Sequence, residues 1–155
     1  MENLGRYAFK EGSRIMADPD VAARVMNDLA EKNELTAEKL VEVSKPEDAP
    51  LHKDFEWDDT VAAQEYRKMQ GRHIINSLII VPEVEEKEPI RAFFKIETHE
   101  NTYTPIQTII RCPTSREILL MNAFAELKAF RKKYESLSEL VKVFAAIDEA
   151  TAKEA

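Results

Sequence analysis

The side chains able to do metal or nucleophilic chemistry are few: His52, His73, His99 and the single cysteine, Cys112. A zinc site takes about four nitrogen or thiolate ligands at close spacing. These four are spread over about sixty residues, with no pair at ligand spacing. Cys112-Pro113-Thr114-Ser115-Arg116 sets a thiol beside a helix start, a setting that lowers a cysteine pKa. A cysteine-dependent phosphatase loop needs its arginine one residue further on, and glycines for the phosphate cradle. Gly5, Gly12 and Gly71 are the only glycines, so glycine-rich nucleotide loops are excluded. Cys112 reads as a small apolar side chain that ends a strand. Glu56, Asp58 and Asp59 cluster around Trp57, and His52 stands near Asp54 and Glu56. Paired carboxylates can exchange protons or hold a hard cation, but acids at a helix start also offset its dipole. No nucleophile, base and orienter can be assembled from these spacings. The expectation is a non-enzyme, with no catalytic residue, no metal and no cofactor.

Recognition chemistry is better represented. A helix following Asp58-Asp59 would place Ala62, Tyr66, Met69 and His73 on one apolar face. Gln64, Arg67, Lys68 and Gly71 fall on the other, with Arg72 alongside. Glutamine and arginine can read base edges, and lysine and arginine hold phosphates. Gln64, Arg67, Lys68 and Arg72 are therefore the candidate nucleic-acid contacts, on a helix placed like the recognition helix of a helix-turn-helix unit. The alternative is a solvated face. Phe55 and Trp57, in the turn before this helix, are either anchors that pack the turn down or an aromatic hot spot for a partner. Arg131-Lys132-Lys133, close to Glu126 and Glu135, reads as an ion-paired helix surface.

The elements that must position these residues can be read from the spacing. The chain has 155 residues, enough for one domain or two small subdomains. Its balance of 44% apolar and 33% charged residues is that of an ordinary soluble globular protein. One cysteine excludes a disulfide framework and suggests a reducing compartment. No apolar run follows Met1 and none approaches a membrane span, so no membrane association and a cytoplasmic setting are expected. The net charge of −7 argues against coating nucleic acid by bulk attraction. The acidic excess sits at the front, where Met1 to Asp58 holds 8 basic and 14 acidic side chains.

Asp18-Pro19 predicts a helix start, a short helix follows from Thr36, and Ser44 to Pro50 is a linker. Residues 1–73 form a helical N-terminal unit on this reading, and 74–155 a small sheet plus C-terminal helices that can pack with it as one domain. The sheet is predicted antiparallel and three-stranded. Ser77 to Val81 is one strand, Ile90 to Glu97 the second, with Ile90, Ala92, Phe94 and Ile96 inward, and Tyr103 to Ile110 the return after a turn at His99-Glu100-Asn101. A capping-box spacing at Thr114 to Glu117 predicts the next helix. Leu120, Phe124 and Leu127 make its stripe, and a restart at Ser136 carries Leu137, Leu140, Val141 and Phe144. The fold class is thus α+β and helix-dominated, with long C-terminal helices covering the sheet. The expected core is Val25, Leu29, Leu40, Tyr66, Ile79, Phe94, Ile109, Leu120, Phe124 and Leu127. A second stripe projecting past the sheet would need a partner, so a homo-oligomer is expected, with Leu140 and Phe144 as candidate contacts. A break at Ser136 would instead let the distal helix fold back onto the first three.

The stretch Leu51-His52, Phe55-Glu56-Trp57-Asp58-Asp59, Ala62-Ala63, Tyr66-Arg67 resembles a signature of small, uncharacterised phage and prophage proteins. The resemblance runs from about Arg6 to Ile147, and Gly71 departs from it where alanine is usual. It implies a phage setting in a host bacterial cytoplasm and no assigned activity. The expectation is a non-enzymatic accessory protein that binds DNA or a DNA-processing assembly through its N-terminal helices. The alternatives are an acidic protein that binds and modulates a host defence or replication factor, and a structural component of the virion.

Overall fold

The computed structural model describes residues 4–59, 61–96 and 101–152. The fold is helix-dominated α+β, as the spacing predicts. In chain order it runs β1 (Arg6–Phe9), α1 (Pro19–Glu31), α2 (Ala37–Ser44), α3 (Val61–Ser77), β2 (Leu78–Val81), β3 (Ile90–Arg91), β4 (Phe93–Lys95), β5 (Tyr103–Pro105), α4 (Ile106–Arg111), α5 (Pro113–Lys133) and α6 (Val141–Thr151). Single 3-10 turns at His52–Asp54 and Ser138–Leu140 lie in the α2–α3 and α5–α6 connections.

The three-stranded antiparallel sheet has the order β1-β2-β3, with Tyr7 opposite Ile80 and Ile80 opposite Ile90. Its first strand is one the sequence reading missed: β1 lies some seventy residues before its partner, and such pairing leaves no local mark. The predicted strand from Ile90 to Glu97 is broken at Ala92. β4 then pairs with β5 in a separate two-stranded ribbon. The predicted return strand also stops early. Pro105 ends it and Ile106 opens α4, where half-buried Ile106 and buried Ile109 meet at helical spacing. The break at Ala92 turns the alternation, so Ala92 and Phe93 are both buried and Phe94 is only partly so. Of the expected turn at 99–101, His99 and Glu100 lie outside the described residues, and Asn101 adopts a left-handed φ of 58°.

α1 starts where its cap predicts. The Asp18 carboxylate accepts from the amides of Asp20 (2.9 Å) and Val21 (3.1 Å), and Pro19 needs no acceptor. Ala22, Ala23, Met26 and Leu29 face inward, the two alanines letting the helix lie close to the sheet. One hydrophobic cluster joins these to Leu35, Leu40, Leu51, Phe55, Ile74, Ile75, Leu78, Ile80, Phe93 and Tyr103, on both sides of the expected division at residue 73.

The inward face of α3 is rotated from expectation. Tyr66 and Met69 are 52% and 62% exposed, while Ala63, Arg67, Gly71, Ile74 and Ile75 turn inward. Gly71 explains part of this: a Cβ there would stand 3.2 Å from the Ala37 carbonyl oxygen, so α3 uses its bare backbone to lie against α2. Ala62's side chain lies outside what the structure describes.

α5 starts two residues earlier than the capping box implies, with Pro113 at its first position and Cys112 preceding it. It does not cover the sheet. None of its 21 residues is buried, and it packs on α4 and α6. Leu120, Phe124 and Leu127 thus leave the expected core. The helix ends at Tyr134, and α6 folds back on α5 rather than on the first three helices. Phe144 and Ile147 are buried there, and Arg131 meets Asp148 at 2.7 Å.

Candidate functional site

The tryptophan motif sits on the connection between α2 and α3, and local chemistry shapes that connection. Pro46 and Pro50 prevent α2 from continuing. Amide bonds from Ala49 to Pro46 O and from His52 to Ala49 O wind the chain into the 3-10 turn. Leu51 and Phe55 are buried and anchor it. The Asp54 carboxylate ties the turn to the segment before α1, accepting from the amides of Met16 (2.7 Å) and Ala17 (3.1 Å). Glu56 N donates to Gln70 Oε1 at 3.0 Å.

Trp57 closes over this turn. Its ring stacks on His52 with centroids 4.9 Å apart and planes 8° from parallel, and its Nε1 donates to the His52 carbonyl at 2.8 Å. His52 Nδ1 lies 2.9 Å from Ser44 O, so the ring is fixed to the end of α2 and not to Asp54 or Glu56. Phe55 meets Trp57 at 5.7 Å, and the Arg67 guanidinium lies 5.1 Å from the indole centroid.

Arg67 is 7% exposed, and two of its three nitrogens are engaged. Nε donates to Glu56 O, one terminal nitrogen donates to Asp58 O at 3.1 Å, and Asp59 lies 3.5 Å from that nitrogen. A planar fork suits two diverging carbonyls. Arg67 therefore holds the loop and does not face solvent, which removes it from the proposed phosphate contacts. Lys68 is half-buried between Glu65 (3.1 Å) and Glu38 (3.7 Å); the hydrogen bond and charge of Glu65, then the charge of Glu38, push its pKa up. Gln64 and Arg72 are exposed. The structure thus separates the four candidate nucleic-acid residues into one buried, one ion-paired and two free at the surface. The connection from 45 to 60 is also much longer than the 3–4-residue turn of a helix-turn-helix.

Beside the stack runs a groove of about 260 Å³ between α2 and α3, with Glu38, Glu42, Lys45, Gln64 and the edge of Trp57 on its walls. Its charges are mixed and its one large aromatic is already engaged. Phe55 is an anchor, and Trp57 is an anchor with one edge exposed. Among the C-terminal candidates, Phe144 is buried under Arg131, whose guanidinium lies 5.5 Å from its ring, and Leu140 is half-buried.

One pairing escaped sequence reasoning. Ser77 Oγ lies 3.4 Å from His73 Nδ1, and His73 Nε2 lies 2.8 Å from Ser13 O. Ser77 is buried, and this hydroxyl fastens the end of α3. Among the described residues no three of His, Cys, Asp and Glu gather as metal ligands. No described helix is long and apolar enough to cross a membrane. Comparison with protein-family models, curated proteins and solved structures finds no match.

Proposed function

We propose that this chain is a non-enzymatic accessory protein of the phage type its tryptophan motif resembles, and that it works by associating with protein through the α5–α6 hairpin. The observation that carries the reading is α5. Over 21 residues it buries no side chain, yet Leu120 and Met121 are 51% and 56% exposed, and Leu127 and Phe130 stand out with them. Apolar surface grouped in this way marks an interaction site. Leu137, Val141 and Val143 are likewise exposed beyond the hairpin bend. A second copy presenting the same face is the occupant, because a twofold contact buries both stripes at once. The N-terminal body, with its net negative charge, is then displayed in two copies.

A nucleic-acid role through α3 has less to stand on, since Arg67 is spent on loop carbonyls and Lys68 on two carboxylates. Light scattering decides the leading reading. The wild type should show a multiple of the monomer mass at micromolar concentration, and Leu120→Glu/Leu127→Glu should return it to the monomer with unchanged helicity. A wild type that stays monomeric at 100 μM, a concentration on the order of the weaker specific associations, would overturn it.

A further inference from the structure

The beginning of α2 carries a feature that the protein-association reading does not use. A small pocket of about 70 Å³ is lined by Ala37, Glu38, Arg72, Lys95, Asn101 and Tyr103. Four separate parts of the chain converge there: the first turn of α2, the middle of α3, and both strands of the β4–β5 ribbon. Gly71 makes the approach of α3 possible, since any Cβ would press on Ala37 O and move Arg72 away. Lys95 and Tyr103 are direct cross-strand partners, so their side chains rise from the same face of the ribbon.

The donors in this pocket are unspent. In the first turn of α2, Thr36 Oγ1 accepts from Lys39 N at 3.0 Å, and Thr36 O accepts from Leu40 N at 3.0 Å. The amides of Ala37 and Glu38 have no acceptor among the described residues. Tyr103 is only 8% exposed, and its hydroxyl has no hydrogen-bond partner among the described residues. Burial, and to a smaller extent the charge of Glu38, push its pKa up, while the charges of Arg72 and Arg91 act in the opposite direction, so the phenol oxygen lies within the field of all three. Arg72 and Lys95 are exposed and form no ion pair with a described residue. Glu38 is the one acid on the rim, and Lys68 lies 3.7 Å from it.

Two cations, the Tyr103 hydroxyl and two orphan amides at a helix start form a donor-rich set, against one carboxylate, that of Glu38. About 10–15 Å³ holds one water, so this pocket accepts a tetrahedral oxyanion and not a nucleoside. We propose that it is a binding site for a phosphate group, with Arg72 and Lys95 supplying charge, Tyr103 a hydroxyl donor and Ala37 and Glu38 their amides.

Amide NMR during titration with inorganic phosphate at constant ionic strength tests this. Saturable shifts centred on Ala37 and Glu38 are expected, absent with chloride. Affinity should fall about tenfold or more in Arg72→Gln and in Lys95→Gln, and several-fold in Tyr103→Phe. Arg72 and Lys95 are at the surface, so those variants keep the fold, and Gly71→Ala should weaken binding by displacing α3. Shifts no larger than those from chloride, or equal affinity in all three side-chain variants, would overturn the site. Competition by a 5′-phosphorylated oligonucleotide but not by its unphosphorylated form would identify a nucleic-acid end as the carrier; no competition by either would leave the free ion as the ligand.

Discussion

Trp57 and His52 are joined twice: their rings stack 4.9 Å apart, and the indole Nε1 donates to the His52 carbonyl. The second bond fixes the ring's direction as well as its plane, so the edge that reaches the α2–α3 groove is determined by the turn beneath it. Arg67 completes the arrangement from α3, reaching Glu56 O and Asp58 O on either side of the tryptophan. The loop between α2 and α3 is therefore held by side chains in place of a sheet or helix ladder.

Removing that fork should be costly. Arg67→Met leaves two loop carbonyls without their donor, and about 2–4 kcal/mol of stability should be lost. Arg67→Lys should recover little, because an ammonium cannot span both carbonyls. Asp59→Asn should cost under about 0.5 kcal/mol, since that carboxylate is fully solvated. Trp57→Phe keeps a stacking ring and loses one hydrogen bond, for about 1 kcal/mol. Urea unfolding followed by far-UV circular dichroism ranks the four; an Arg67→Met midpoint equal to that of Asp59→Asn would refute the account.

The glycines give a contrast in backbone strain. Gly5 has φ +138°, and a Cβ there would fall 2.0 Å from Val81 O, inside the β1–β2 pairing. Gly5→Ala should cost more than about 2 kcal/mol, from conformational strain plus a steric clash with backbone. Gly12 has φ +79° with open space around it, so Gly12→Ala carries only the conformational part, about 1 kcal/mol. Thermal melts of the two variants should differ in that order.

The contrast between what is readable and what is not follows the range of the interactions. Asp18-Pro19 specifies the start of α1 through bonds to residues two and three positions on, and the sequence states it outright. The rotation of α3 is not stated. Tyr66 and Met69 are more apolar than Arg67 and Gly71, and periodicity places the apolar pair inside. Arg67 goes inward because loop carbonyls await it, and Gly71 because α2 lies against it. Both causes depend on a connection whose path periodicity does not describe. Of the candidate contacts on α3, only Arg67 turns inward with that rotation, and the α2 pocket stays hidden because its donors come from four separate segments.

Cys112 yields a pH-dependent prediction. The neighbouring Ser115 hydroxyl, with the backbone of Ser115 and Thr114, favours the thiolate and lowers the thiol's pKa from its ordinary value of 9.0. A lowered pKa means the thiolate persists to lower pH, so the iodoacetamide alkylation profile should rise through an inflection below that value. Ser115→Ala removes the leading contribution and should move the inflection upward, slowing alkylation at pH 7.5. Identical profiles for the two proteins would contradict a Ser115 contribution to the thiol.

The hairpin separates two kinds of apolar residue, and variants should behave accordingly. Phe144 is internal to it, packed under Arg131, whose ion pair with Asp148 is partly exposed. Such an ion pair contributes at most about 1 kcal/mol, so Phe144 and Ile147 carry most of the closure, and Phe144→Ala should remove about 3 kcal/mol of packing. The consequence is local: α6 lies outside the main cluster, so it should detach while the body from α1 to β5 keeps its amide protection. Leu120 and Leu127, 51% and 37% exposed, lie toward the outside of α5. Leu120→Glu/Leu127→Glu should leave α6 protected and change only the mass in solution. Hydrogen exchange paired with light scattering reads both effects in the same samples. If Phe144→Ala left α6 protection intact, or if Leu120→Glu/Leu127→Glu abolished it, the division between inner and outer face would be wrong.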